Sequence, residues 1–138
     1  MLVNRSIPRS TVIPELPYAD IGGAIDWLCA TFGFTLRLRI ADHRAQLNVG
    51  DGAVVLIERP PEAGGTSFPG SVMVRVDDVH AHYERSRQRN ARILRAPQDY
   101  PYGERQYSVE DLGGHRWNFS QSIADVDPRD WGGTPGQL

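Results

Sequence analysis

Four histidines, one cysteine and a scatter of carboxylates are the side chains that could hold a metal or move a proton in this 138-residue chain. His80 and His82 stand two apart in a stretch with helical spacing, so they point in different directions and cannot chelate together. His43 sits beside an expected strand turn. His115 opens the last expected strand, where Glu110 could approach it across a hairpin. His115 has the intrinsic chemistry of a general base, but no partner for it is identifiable. Solvated or turn-flanking histidines are the expectation for all four. Cys29 falls in an apolar helical stretch and reads as a small buried hydrophobe. Being single, it forms no intrachain disulfide. Gly64-Gly65 has no strand before it and no helix after, so it is no phosphate loop. A different chemistry comes from Tyr100, Tyr102, Tyr107 and Trp131, because aromatic rings at a cavity mouth stack on planar ligand groups. For Trp131 the simpler role is to pin the chain's tail.

The element that must position most of these residues is GERQYSVEDLGGHRWNFSQ (103–121). It alternates as a strand, with Tyr107 and Val109 on one face and Gln106 and Ser108 on the other. Asp111-Leu112-Gly113-Gly114 supplies a turn. A second strand then sends Trp117 and Phe119 one way and Arg116, Asn118 and Ser120 the other. One face of this hairpin can pack on a helix while the other meets something polar.

The rest of the chain organises around that pair. Residues 1–10 form a loose leader, and TVIPELPY (11–18) is extended, its prolines marking an edge or irregular strand. Asp20 caps a helix over 21–32 with apolar residues at helical spacing, and Gly33 ends it. Strands follow at 34–40, 43–49 and 53–58. PPEAGGTSFPG (60–70) is a linker. A strand at 71–76 leads to Asp78, which caps a more polar helix to about residue 89. Residues 92–96 form a short strand, 97–102 a loop, and 123–138 a turn-rich tail.

Composition narrows the class. Forty per cent apolar and 23% charged residues describe an ordinary soluble domain. A net charge of −2 with dispersed basic residues argues against nucleic acid. No apolar run approaches the roughly 18 residues of a membrane span, and MLVNRSIPRS lacks a signal-peptide core. A cytoplasmic protein is expected.

The order of elements repeats. PYADIGGAIDW (17–27) lies on RVDDVHAHYER (75–85) at an offset of 58, aligning Asp20 with Asp78. DGAVVL (51–56) lies on GGHRWN (113–118) at an offset of 62, aligning Gly52 with Gly114. Each half thus reads strand, helix, strand, strand, strand.

The segments PYADIGGAIDWLCATFGF (17–34), VMVRVDDV (72–79) and YGERQYSVEDLGGHRWNFSQ (102–121) resemble the vicinal-oxygen-chelate superfamily. Glyoxalase I, extradiol dioxygenases and the fosfomycin- and bleomycin-resistance proteins belong to it. The resemblance covers about residues 11–122 and implies an α+β fold of two βαβββ modules curled around a cavity, usually in a dimer. Module one would span about 11–59, the linker 60–70, module two about 71–122 and the tail 123–138. Metal-dependent relatives draw ligands from four strand positions, which fall here on Ile13, Leu56, Ser71 and Asn118. Ile and Leu offer no donor to a divalent cation. No metal and no other cofactor is therefore expected, and the metal-free bleomycin-resistance-like branch is the nearest in character.

If Asn118 faces the cavity, alternation turns Arg116 and Ser120 inward with it. The same logic selects Glu15, Leu56, Glu58, Ser71, Met73 and Arg75, with Tyr102 and Tyr107 as stacking rings. Glu15, Glu58, Arg75 and Arg116 could instead form structural ion pairs. The expected function is metal-independent binding of an aromatic or amphipathic small molecule by a homodimer, in a resistance-type role without catalytic residues. The alternative is a lyase, isomerase or dioxygenase with displaced ligands or no metal. A structural protein with a vestigial cavity is the third reading.

Overall fold

A computed structural model describes residues 2–59 and 70–138. Asp20 and Asp78 do cap the two helices. Asp20 Oδ1 accepts from the Gly23 amide at 3.1 Å, starting α1 (Ile21–Phe32). Asp78 Oδ1 accepts from the Ala81 amide at 3.0 Å, starting α2 (Val79–Gln88). Each carboxylate satisfies a first-turn amide that has no intrahelical partner. Gly33 closes α1 at φ +80°, a left-handed conformation that suits glycine.

The first sheet contains β1 (Glu15–Tyr18), β2 (Thr35–Ile40), β3 (Arg44–Val49) and β4 (Gly52–Glu58), in the order β1-β4-β3-β2. The second contains β5 (Ser71–Arg75), β6 (Arg92–Tyr100), β7 (Glu104–Glu110) and β8 (Arg116–Ser122), in the order β5-β8-β7-β6. In both sheets the first strand runs parallel to the last and the remaining pairs are antiparallel. This is the βαβββ module twice, an α+β fold, as the repeat predicts.

The chain forms two compact units. One comprises the described residues up to Gly70 together with Asp111–His115, and the other comprises Ser71–Glu110 with Arg116–Leu138. In the first unit, the α1 residues Ile21, Ala24, Ile25, Leu28 and Phe32 are buried with Leu16, Ala45, Leu47, Val54 and Leu56 of the strands. In the second, Val79 and Ser86 of α2 are buried with Tyr107, Val109, Trp117 and Phe119.

Three expectations shift. The expected strand at 92–96 and loop at 97–102 merge, because β6 continues to Tyr100. Its pairing slips between Ile93 and Arg95 and again between Arg95 and Gln98. Pro97 lies in the second slip, where a residue without an N–H is tolerated. The extended stretch at 11–18 is strand only from Glu15 onward. Of the linker, residues 60–69 lie outside the described residues.

The third shift concerns register. Glu15 stands opposite Val55, and Met73 stands opposite Asn118. If Glu15 corresponds to Met73, then Val55 corresponds to Asn118, an offset of 63 where the sequence alignment used 62. Gly52 therefore answers to His115, not to Gly114.

Candidate ligand-binding face

In the second unit, β5 and β8 pair as Ser71–Arg116, Met73–Asn118 and Arg75–Ser120, and β7 continues the rows with Glu110, Ser108 and Gln106. Residues directly opposite share a face. These side chains therefore lie together on the side of the sheet away from α2, as alternation predicts. Trp117 and Phe119 occupy the other side, both fully buried.

The polar face is an organised ladder. Ser108 Oγ donates to Asn118 Oδ1, and Asn118 Nδ2 donates to Ser71 Oγ at 3.2 Å. Gln106 Nε2 donates to Ser120 Oγ at 3.0 Å, which donates to Glu104 Oε1 at 2.7 Å. Tyr102 OH reaches Gln106 Oε1 at 3.4 Å. Beside this ladder stand three groups free to meet a ligand. Met73 is 61% exposed in the middle of the face. Arg116 is exposed, and its side chain makes no hydrogen bond or ion pair among the described residues. Arg75 gives Nη1 to Ser122 Oγ at 2.8 Å and remains exposed.

An aromatic wall borders the ladder. Tyr100 and Tyr102 stack with centroids 5.4 Å apart and planes 14° from parallel, and Trp131 lies 5.1 Å from Tyr102. Trp131 reaches this position because the tail turns back on Gly103, whose carbonyl accepts from the amides of Ile123 and Ala124. A 3₁₀ turn over Pro128–Trp131 then presents the indole. The tail-pinning role and a stacking surface are compatible here, since the ring keeps 45% of its exposure.

Tyr107 belongs elsewhere. It is fully buried on the helix side, where its hydroxyl shares hydrogen bonds with His82 Nδ1 and with Ser86 Oγ at 2.8 Å. Burial pushes its phenol above the ordinary tyrosine value, and the Ser86 bond opposes that rise only in part. The alternation that paired it with Val109 was the correct signal. His82 is likewise no solvated histidine, its ring lying 3.9 Å from that of Phe119.

In the first unit the expected set divides. Glu15 shares a face with Val55, whereas Leu56 and Glu58 share the other with Leu16 and Tyr18. Leu56 is fully buried among core residues and can touch no ligand. Glu58 is exposed at the strand end on that same helix side. A one-residue register error had turned β4 over. Glu15, Glu58, Arg75 and Arg116 enter no ion pair among the described residues.

Sequence reasoning missed a buried knot in the first unit. Tyr18 OH donates to Asp111 Oδ2 at 2.6 Å, and Asp111 Oδ1 accepts from the amides of Gly113 and His115, each at 2.9 Å. His115, 1% exposed, places Nε2 2.7 Å from the Pro17 carbonyl. Burial, with the Asp111 charge adding to it, drives the Tyr18 phenol far above its ordinary value. An Asp two residues before a Gly is an Asx-turn signal, but its long-range tyrosine partner has no local signature.

Residues 11–119 match the model of the Glyoxalase/Bleomycin resistance protein/Dioxygenase superfamily, and the chain belongs to that superfamily. An uncharacterized protein of Mycobacterium bovis is 32% identical to it, across 83% of this chain and 84% of that protein. TioX from Micromonospora sp. ML1 is 36% identical with a TM-score of 0.69, covering 86% of this chain and 100% of its own. A bleomycin resistance determinant encoded on the transposon Tn5 shares the fold at a TM-score of 0.68 and 21% identity, covering 83% of this chain and 99% of its own.

The metal centre implied by the resemblance does not fit these residues. In the observed register its four positions are Ile13, Val55, Ser71 and Asn118, and the Asn118 amide is already held by two serines. Among the described residues no three His, Cys, Asp or Glu side chains gather as a metal would require. No helix there is long and apolar enough to cross a membrane.

Proposed function

We propose that this protein binds an amphipathic, aromatic-bearing small molecule on the polar face of its second sheet and holds it unchanged, in a resistance-type role. The observation that carries this reading is the Ser71–Asn118–Ser108 ladder standing where a metal enzyme of the superfamily would bring its ligands. Neutral amides and hydroxyls recognise polar edges, and among the described residues the Ser71 and Ser108 hydroxyls bond only to the Asn118 amide, with no base beside them to make a nucleophile. Met73 offers apolar contact, Arg75 and Arg116 offer cations for an anionic or carbonyl edge, and Tyr102 with Trp131 offers a stacking surface. Kinship with a bleomycin resistance determinant supports the role only as analogy of fold. We take the binding form to be a homodimer.

Tryptophan fluorescence and calorimetry against a panel of aromatic and glycopeptide antibiotics test this. Saturable binding with the recovered ligand chemically intact is expected. Turnover of a bound compound, or stoichiometric Zn, Ni, Mn or Fe in protein purified without chelators, would refute it.

A further inference from the structure

The first sheet has a counterpart of the polar face, and the chain covers it with its own N-terminal segment. Gln46 stands opposite Val55, as Ser108 stands opposite Asn118 in the second unit. Over this face the residues around Arg5 run as a short turn, with the Ile7 amide 3.4 Å from the Asn4 carbonyl. Two side chains hold the turn. Arg37 Nη2 donates to the carbonyls of Arg5 and Ile7 at 3.0 and 3.1 Å. Gln46 Nε2 donates to the Ser6 carbonyl at 3.0 Å, and Arg37 Nη1 donates to Gln46 Oε1, fixing the amide's orientation.

Three consecutive carbonyls are thus read by one guanidinium and one amide. Beneath the turn Gln46 is only 3% exposed, while the Val3 and Ile7 side chains on it are 67% and 44% exposed. The grip on residues 5–7 is through their backbone carbonyls, and Pro8, which follows them, is buried. The fit is also incomplete, since a cavity of about 240 Å³ remains, bordered by Arg5, Arg9, Asn48 and Asp51.

We propose that Arg37 and Gln46 form a second binding site, whose ligand class is a peptide backbone turn and whose resident occupant is the N-terminal segment. A tethered occupant needs little intrinsic affinity, because tethering supplies an effective concentration on the order of millimolar. An external peptide therefore competes poorly until the segment is loosened. This site is independent of what the second unit binds.

Full-length Ile7→Pro loosens it. The substitution removes the amide that closes the turn and drives Ser6 toward extended geometry, leaving Arg37 and Gln46 intact. A fluorescein-labelled peptide of sequence NRSIPRS, capped at both ends, is titrated by anisotropy into wild type, Ile7→Pro, and Ile7→Pro with Arg37→Ala. Expected is binding to Ile7→Pro about tenfold tighter than to wild type, cancelled by Arg37→Ala. No gain over wild type, or a gain that survives Arg37→Ala, overturns the proposal. If Ile7→Pro fails to fold, the unaltered chain still decides. Unlabelled peptide at tens of millimolar, on the order of ten times the segment's effective concentration, should shift the Ile7 amide resonance toward its random-coil position, and an unmoved resonance refutes the site.

Discussion

Arg116 and Tyr107 were both candidate ligand contacts, and their surroundings give them opposite tests. Arg116 is exposed and without a protein partner among the described residues. Arg116→Ala should leave stability within about 0.5 kcal/mol of wild type while weakening the second-unit ligand about tenfold. Equal affinity in calorimetry would remove Arg116 from the site. Tyr107 is enclosed, its hydroxyl tied to Ser86 and His82. Tyr107→Phe strands those partners and should cost about 1–3 kcal/mol in urea unfolding, with ligand affinity unchanged. Tyr18 adds a pH dependence. Its folded value lies well above the unfolded value near 10, so its contribution is complete below pH ~10 and declines as pH rises further. The unfolded phenol ionises there while the folded one cannot. Stability should therefore fall by up to about 1.4 kcal/mol per pH unit above pH ~10 for each such tyrosine, Tyr107 included. A flat profile between pH 9 and 11 would contradict the buried Tyr18–Asp111 pair.

At the scale of elements, caps and alternation were legible because they are local. Asp20, Asp78 and Gly33 do what their side chains dictate within one helical turn. Trp117, Phe119 and Asn118 fall on the expected faces because a strand's period is two. What failed was the correspondence between modules. Gly50-Asp51 joins β3 to β4 in two residues, whereas five residues, 111–115, join β7 to β8. The longer loop is set by Asp111, Tyr18 and His115, a tertiary contact across more than ninety positions that no window of sequence contains. One residue of slip then turned over every side chain of β4 and made Leu56 and Glu58 look like cavity residues. The tail shows the same dependence on distant partners. Gly103 has φ +84°, and a Cβ there would lie 2.4 Å from the Ala124 carbonyl oxygen. Gly103→Ala should cost about 2–3 kcal/mol and free the tail from Tyr102, seen as a red shift and faster quenching of Trp131 fluorescence. A variant as stable as wild type, with Trp131 unmoved, would show that the tail is held by other means.

For the molecule as a whole, each sheet ends in strands with one unpaired edge: β1 and β2 in the first, β5 and β6 in the second. Edge strands with apolar side chains invite association unless something covers them. Here β2 carries Leu36 and Ile40 at 49% and 39% exposure, and β6 carries Leu94 at 41%. On either edge such residues offer a second copy of the chain apolar surface to bury. The proposed homodimer accordingly predicts a sedimentation mass twice the 15.4 kDa of one chain at tens of micromolar. Ile40→Glu combined with Leu94→Glu should shift that mass to the monomer, because burying two carboxylates costs several kcal/mol each. If wild type sediments at 15.4 kDa, the homodimer is wrong and ligand binding belongs to the single chain. If the double variant remains dimeric, the interface lies away from β2 and β6. Ligand affinity measured on a monomeric variant then separates the two roles of association. Unchanged affinity would place recognition within one protomer's second unit, and a loss of affinity would mean that the partner copy completes the site.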